Sequence, residues 1–408
     1  IPLPSQTHHQ MNVTSWRATA SSSSSLPSWT ASETVVFDPA AASGEYANCS
    51  TIQELSFESV DLPAIQLLFA VLYTLVWTMA IVGNALVLYV VSFAQVSLSV
   101  RSVFIGCLAV SDLLMSLTSL PVTAVSIFSR AWLFPDFFCK LIGVFQGGSI
   151  FVSSFTLTAI AIDRCFLIRR PNQEVINYER AINVVIFIWA LGYALALPVG
   201  IFSRALSYEG TCGVFCEENW PDSNGGTTGS AQRKMYGLAV LLLQFGIPTL
   251  LSSVCYIAIS RVMDEQLQRR RGQQLLPDAE QRLLTRRTRA NRMMVYMVGG
   301  LVISWMPLNA INLYRDFSND FAENMNGNPW FSTVFALCHV TAMMSAVVNP
   351  LIYSWFNPAF RQAVNSLVKS CTPLSSLISD TKNTEVQPLK NEIKLATSRG
   401  NGYGEEPL

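Results

Sequence analysis

Asp112 lies inside the apolar stretch Ala109-Val110-Ser111-Asp112-Leu113-Leu114. An ionisable group in hydrocarbon is costly, so such a residue faces a bundle interior and holds a partner, a proton or an ion. Asn84, Ser153 and Asn349 fall in three other apolar stretches and could converge on Asp112, enclosing room for water or a small cation. Asp163-Arg164-Cys165 closes the stretch that holds Ser153. An isolated Asp-Arg pair there reads as an arginine reaching for headgroups, and only its position singles it out. Asn349-Pro350-Leu351-Ile352-Tyr353 is a helix-breaking string: proline frees a carbonyl and asparagine needs partners, so the string must bend and pack against polar neighbours.

These groups need long helices to position them. The chain has 408 residues, 50% hydrophobic and 13% charged, with zero net charge and a mean hydropathy of +0.35. That balance departs from a soluble domain and gives no basis for a nucleic-acid partner. Seven apolar runs are long enough to cross a bilayer: about 64 to 92, 102 to 129, 137 to 166, 181 to 202, 236 to 262, 293 to 315 and 331 to 356. Runs four to seven carry Pro198, Pro248, Pro307 and Pro350, a bundle built to flex, and Trp305-Met306-Pro307 sets an indole beside one kink.

Arginine placement orients the bundle. Nine arginines from Arg261 to Arg292 lie between or beside runs five and six, and Arg169, Arg170 and Arg180 follow run three. The segment before run one carries Arg17 against Glu33, Asp38, Glu45, Glu54, Glu58 and Asp61, which puts it outside and the C-terminus in the cytoplasm of a multi-pass plasma-membrane protein. No charged-then-apolar leader precedes that segment, so a signal peptide is expected to be absent or removed. The sequons at Asn12 and Asn48 fall on the outer side, as glycosylation requires.

Cys107, Cys165, Cys255 and Cys338 read as small buried hydrophobes. Cys49, Cys139, Cys212 and Cys216 face the oxidising side, where Cys139 could bridge to either loop cysteine and Cys49 could take the other. Residues 1 to 63, rich in Ser, Thr and Ala, read as a disordered outer tail, and 64 to 356 as the seven-span domain. Residues 357 to 370 read as a short amphipathic helix on the inner lipid surface, followed by a tail from 371 to 408. Cys371 is a candidate for palmitoylation. The serines and threonines from Ser366 to Thr384 suit phosphorylation and arrestin.

In order and depth these residues resemble the rhodopsin-like G-protein-coupled receptors. The motifs are Gly83-Asn84, Leu108 to Asp112, Asp163-Arg164 with Pro171, Trp189, Pro248 with Tyr256, Trp305-x-Pro307, Asn349-Pro350-x-x-Tyr353 and Phe360. The resemblance implies an all-α bundle of seven spans with a short amphipathic eighth helix. It implies a sodium pocket of Asp112, Ser153 and Asn349 that favours the resting state, and no other cofactor. It also implies that Asp163, Arg164, Tyr256, Pro307, Asn349, Pro350 and Tyr353 work the switch that admits a heterotrimeric G protein, with inhibitory coupling expected. Two departures, Cys165 where tyrosine is usual and Arg286-Arg287 where an acid would lock Arg164, imply raised basal activity.

Gln146 stands where an amine receptor carries aspartate, and no lysine for retinal lies between Phe331 and Arg361. The finer resemblance is to receptors for neuropeptide Y, neuropeptide F and RF-amide peptides, through Cys216 to Pro221, Cys338 to Met343, Gln146, Gln244, Asn312 and Asp316. It nominates Cys216 as the partner of Cys139. Ligands of that group end in arginine, an aromatic residue and an amide, so the resemblance assigns Asp316, helped by Glu218, to the guanidinium. Gln146, Gln244 and His339 line a deeper polar floor above Trp305, with Asn312 beside Asp316. A tachykinin-like ligand is the rival within the family. A secondary transporter is the rival class, but spans one to three show no later echo and Asp112 is nearly the sole deep charge. Neither an HExxH helix nor a GxSxG turn suggests an enzyme.

Overall fold

A computed structural model describes residues 49–93, 100–169, 177–208, 210–222, 230–271, 278–317, 329–356 and 358–371. The sequons at Asn12 and Asn48 and the tail beyond Cys371 lie outside the described residues, as do the side chains of Arg286, Arg287 and Cys371.

Seven helices are long and apolar enough to cross a membrane. The spans are Pro63–Phe93, Val100–Ser129, Asp136–Arg169, Tyr178–Phe202, 231–271, Asp278–Phe317 and Phe331–Phe356. Helical hydrogen bonds satisfy most of the backbone of each span, as hydrocarbon demands. Their polar extensions, 263–271 on span five and 278–292 on span six, run past the apolar cores of those helices. Leu67, Leu68, Trp77, Ile186, Phe187 and Ile303 face outward, an apolar belt of the kind lipid covers. Pro358–Cys371 forms the short eighth helix, and its Phe360 is buried in the main core.

The proline kinks are stitched to neighbouring spans. Pro350 has no N–H to give the carbonyl four residues back, that of Ala346, and the Asn84 amide of span one donates to this oxygen at 2.9 Å. Gly83, one residue earlier, leaves room for the proline ring: a Cβ there would lie 2.8 Å from Pro350 Cβ. Pro248 likewise frees the Gln244 carbonyl, and the Ser154 hydroxyl of span three donates to it at 2.5 Å. Gln244 sits in a π turn, Leu242–Gly246, the widened geometry that often marks functional helices. Span seven breaks at Met344 into Phe331–Met343 and Ser345–Phe356. Pro121 in span two is a fifth in-helix proline that the count by runs leaves out.

One end of the bundle carries both disulfides, Cys139–Cys216 and Cys49–Cys212. Between spans four and five, strands β1 (Ser203–Leu206) and β2 (Phe215–Glu218) pair antiparallel with Ala205 opposite Cys216. The turn joining them needs glycine at Gly210 and Gly213, whose φ values are +76° and +114°. Cys216 is thereby pinned to the start of span three, where Asp136 accepts the Ala205 N–H at 3.2 Å.

The expectation of disorder through residue 63 is corrected for its last part. Residues 49–62 form a strap with a capped helix, Ile52–Leu55, and a 3-10 turn, Ser59–Asp61. Ser50 bridges Thr211, beside the Cys49–Cys212 bond. Arg130, just past span two, reaches Glu58 at 2.5 Å and Asp61 at 3.0 Å and donates to the Ser56 carbonyl. The other oxygen of Glu58 accepts the Ser332 N–H at the start of span seven, 2.9 Å away. Composition misses this because the strap is held by a disulfide and a buried ion pair, with Ile52 and Val60 as its buried apolar side chains and no apolar periodicity to read.

Candidate functional site

Three polar layers run down the bundle. At the disulfide end a cavity of about 310 Å³ opens among spans two to seven and the β ribbon, near the lower end for ligand pockets. Its wall includes Gln146 of span three, Glu217 and Glu218 of β2, Arg130, Arg233 of span five and Arg315 of span six.

The charges there are largely committed to one another. Asp316 lies 3.1 Å from Arg233 Nε and 3.4 Å from Arg315 Nε. Glu218 lies 3.8 Å from Arg233 and accepts the Trp220 indole N–H at 3.0 Å. Glu217 accepts the Tyr208 hydroxyl at 2.8 Å, while its Oε1 is buried with no hydrogen-bond partner among the described residues. Burial, with the hydrogen bond to Glu217, raises the Tyr208 phenol above its ordinary range.

Of the residues assigned to the ligand, Gln146 and Glu218 line this cavity, and the other five sit elsewhere. Asn312 is half-buried one turn before Asp316. His339 is stacked on Tyr73 of span one, its Nδ1 2.9 Å from the phenol oxygen. Gln244 donates to the Gly147 carbonyl at 3.1 Å. The Trp305 indole donates to Ser345 at 3.0 Å, immediately after the break in span seven. The expected deep floor is therefore tied to neighbouring spans, with His339 Nε2 buried and without a hydrogen-bond partner among the described residues, and the wall includes the loop and the ends of spans five and six.

The second layer surrounds Asp112. Asn349 donates to Asp112 Oδ2 at 2.9 Å and Ser153 to Oδ1 at 3.4 Å. Ser111 supports Ser153 at 2.8 Å and donates to the Ser149 carbonyl at 3.0 Å. Asn84 serves the kink in span seven instead of Asp112. The Asp112 carboxylate and the Ser153 hydroxyl are hard-oxygen donors of the kind a small monovalent cation takes, while Asn349 turns its amide N–H to the carboxylate.

The third layer lies at the arginine-rich end. Arg164 pairs with its neighbour Asp163 at 3.3 Å, and its Nε is buried without a hydrogen-bond partner among the described residues. The hydroxyls of Tyr256 and Tyr353 are also buried and unpartnered there. Three unsatisfied donors gathered at one level suit an end that rearranges.

Sequence reasoning overlooked several working residues. Glu217 is adjacent to the assigned Glu218 but points into the buried face of the ribbon, which only the alternation of β2 could have signalled. Arg233, Arg130, Ser154 and Ser345 left no sequence signal, because their roles depend on partners 40 to 90 residues away.

The sequence pattern of the seven-transmembrane receptors of the rhodopsin family matches residues 83–353. Neuropeptide receptor 3 of Caenorhabditis elegans is 62% identical over 323 residues, covering 79% of this chain and 84% of that receptor. Neuropeptide receptor npr-1 of the same nematode is 30% identical over 72% of this chain and 71% of its own length. The neuropeptide F receptor of Drosophila melanogaster is 30% identical over 78% of this chain and 65% of its own length.

Proposed function

The chain belongs to the rhodopsin family of seven-transmembrane receptors, and from that premise we propose that its ligand is an amidated neuropeptide of the neuropeptide Y, neuropeptide F or RF-amide kind. The observation that carries this reading is the charge arrangement at the cavity, where Glu217 and Glu218 of the loop stand in the wall and Asp316 of span six pairs with the wall residues Arg233 and Arg315, while span three offers the neutral Gln146. A small amine would need its counter-ion on span three; a peptide reaching down from the mouth meets its charges at the rim. In this reading the disulfide end is extracellular and the arginine-rich end cytoplasmic, as thiol oxidation and arginine placement both require.

Binding at the mouth is passed to a heterotrimeric G protein, with inhibitory coupling, through Trp305, Asn349, Tyr353, Tyr256 and Arg164. Pro307 and Pro350 supply the bends and Asp163 the resting partner of Arg164. Asn312 and Asp316 shape the rim, Asp316 by holding Arg233 and Arg315 in place; His339 and Gln244 brace the spans beneath it. Asp112, Ser153 and Asn349 hold a sodium ion, whose charge balances the carboxylate and favours the resting packing. Arrestin engagement by the tail, palmitoylation at Cys371 and glycosylation at Asn12 and Asn48 complete the reading. Agonist-stimulated nucleotide exchange in membranes, screened with amidated peptides, tests it. Exchange above baseline with a neuropeptide F-type or RF-amide-type peptide is expected, and silence across the panel overturns the ligand class.

A further inference from the structure

We propose that Glu217 is the anionic anchor of the outer cavity and receives a guanidinium group carried by the ligand. The inference deepens the peptide reading and rests on it.

Five acids line this cavity or pair with an arginine that does, and they are not equivalent: Glu58 and Asp61 are both held by Arg130. Asp316 is held between Arg233 and Arg315, and Glu218 is divided between Arg233 and the Trp220 indole. A cation arriving at either must displace an arginine already in place, which offsets most of the gain. Glu217 differs. It is 94% buried by its 6% exposure, yet only Oε2 is engaged, by the Tyr208 hydroxyl. Oε1 is buried without a hydrogen-bond partner among the described residues, on a side chain that lines the cavity. Arg204, its register partner across the ribbon, is exposed and makes no ion pair with it among the described residues.

A buried carboxylate oxygen left open is an expensive arrangement that a ligand can relieve. A planar guanidinium is the group best suited to it, because its N–H fork matches a carboxylate whose other oxygen is already fixed. The same wall carries the Arg130 Nε–H, also buried and unpartnered among the described residues, a donor for a peptide carbonyl. The cavity wall thus carries one acceptor and one donor that lack partners among the described residues, both covered in the free form and reached by a small side-chain shift, a pattern that fits an arginine residue with its backbone. Phe215 lies two positions before Glu217 on the same buried face and gives the alkyl stem an apolar surface.

The test uses the full-length receptor in membranes. The probe is the most potent of a panel of synthetic peptides ending in arginine, an aromatic residue and an amide, compared with its citrulline analogue, which keeps the shape and loses the charge. On the wild type, citrulline is expected to lower potency by about 30-fold or more, as for a buried charge pair losing one partner. In Glu217→Gln, at matched surface expression, the two peptides should become equipotent; in Asp316→Asn the gap should remain. Glu217→Asp, which keeps the charge but shortens the reach, should retain an intermediate gap, so the idea is testable even if the glutamine variant fails to reach the surface. A gap that survives Glu217→Gln, or vanishes in Asp316→Asn alone, overturns the assignment of Glu217. Equal potency of the two peptides on the wild type overturns it as well. Silence of every peptide on the wild type overturns the peptide reading and this inference together.

Discussion

Replacing Arg130 with methionine should release the strap 49–62 from the mouth without melting the bundle. The guanidinium serves Glu58, Asp61 and the Ser56 carbonyl and is nearly inaccessible, and the two carboxylates are almost as deeply placed. Removing one partner of a buried ion pair typically costs about 3 to 5 kcal/mol, since the surviving charge stays desolvated. Two acids are stranded here, but both sit at the edge of the bundle, and lifting the strap returns them to water. The cost is therefore capped at the docking free energy of the strap. Taking the lower figure, the opened fraction rises by about two orders of magnitude. Amide hydrogen exchange on the purified receptor reads this directly. The N–H groups of Ser56 and Leu62, bonded to Ile52 and Ser59 carbonyls, should exchange about 100-fold faster, while core amides of spans two and three hold their rates. Exchange at those two amides within about threefold of wild type would refute the argument that the ion pair holds the strap.

The remaining predictions address the kinks and the switch. Gly83→Ala puts a methyl 2.8 to 2.9 Å from the Pro350 ring; overpacking of this kind should cost about 1 to 3 kcal/mol and appear as a lower melting temperature in detergent. Asp112→Asn should abolish any dependence of agonist affinity on sodium, measured by replacing sodium with N-methylglucamine at constant ionic strength; a wild type indifferent to sodium would remove the ion from the reading. Tyr353→Phe deletes a buried hydroxyl that has no partner among the described residues, so the resting form should gain about 1 kcal/mol and ligand-free nucleotide exchange should fall. Unchanged or higher basal exchange would show that this hydroxyl is satisfied at rest.

The seven spans were legible because hydrocarbon makes their signal redundant: length, apolar content and arginine bias agree. Asp112 with Ser153 and Asn349 was legible because a lone acid in an apolar run has few places to go. The strap was not, since Glu58 and Asp61 look like any acids in a polar tail until Arg130 is placed among them. Nor was the state of the assigned acids. Asp316 carries the right charge at the right height, but whether an acid is open depends on Arg233 and Arg315, and pairing across spans has no period to read. The partner of Cys139 became legible only through the loop motif, and the structure pairs it with Cys216, leaving Cys49 with Cys212.

Unsatisfied buried groups lie at the arginine-rich end as well as at the disulfide end, and the stitched kinks lie between them. Carbonyls freed by Pro350 and Pro248 are met by Asn84 and Ser154, so the kinks at mid-depth are already hydrogen-bonded and gain little by changing. At the arginine-rich end, Tyr256, Tyr353 and the Arg164 Nε are buried without such partners among the described residues. Each open group there costs on the order of 1 to 3 kcal/mol relative to a bonded one. An outward movement of span six would admit water or a partner helix to these groups and recover that energy, while leaving the stitched kinks to act as hinges. The Trp305–Ser345 bond joins span six to the break in span seven between these two regions. A ligand that tilts the outer ends of spans five and six, where Arg233 and Arg315 meet Asp316, therefore acts on an equilibrium whose opposing terms sit at the far end of the same helices.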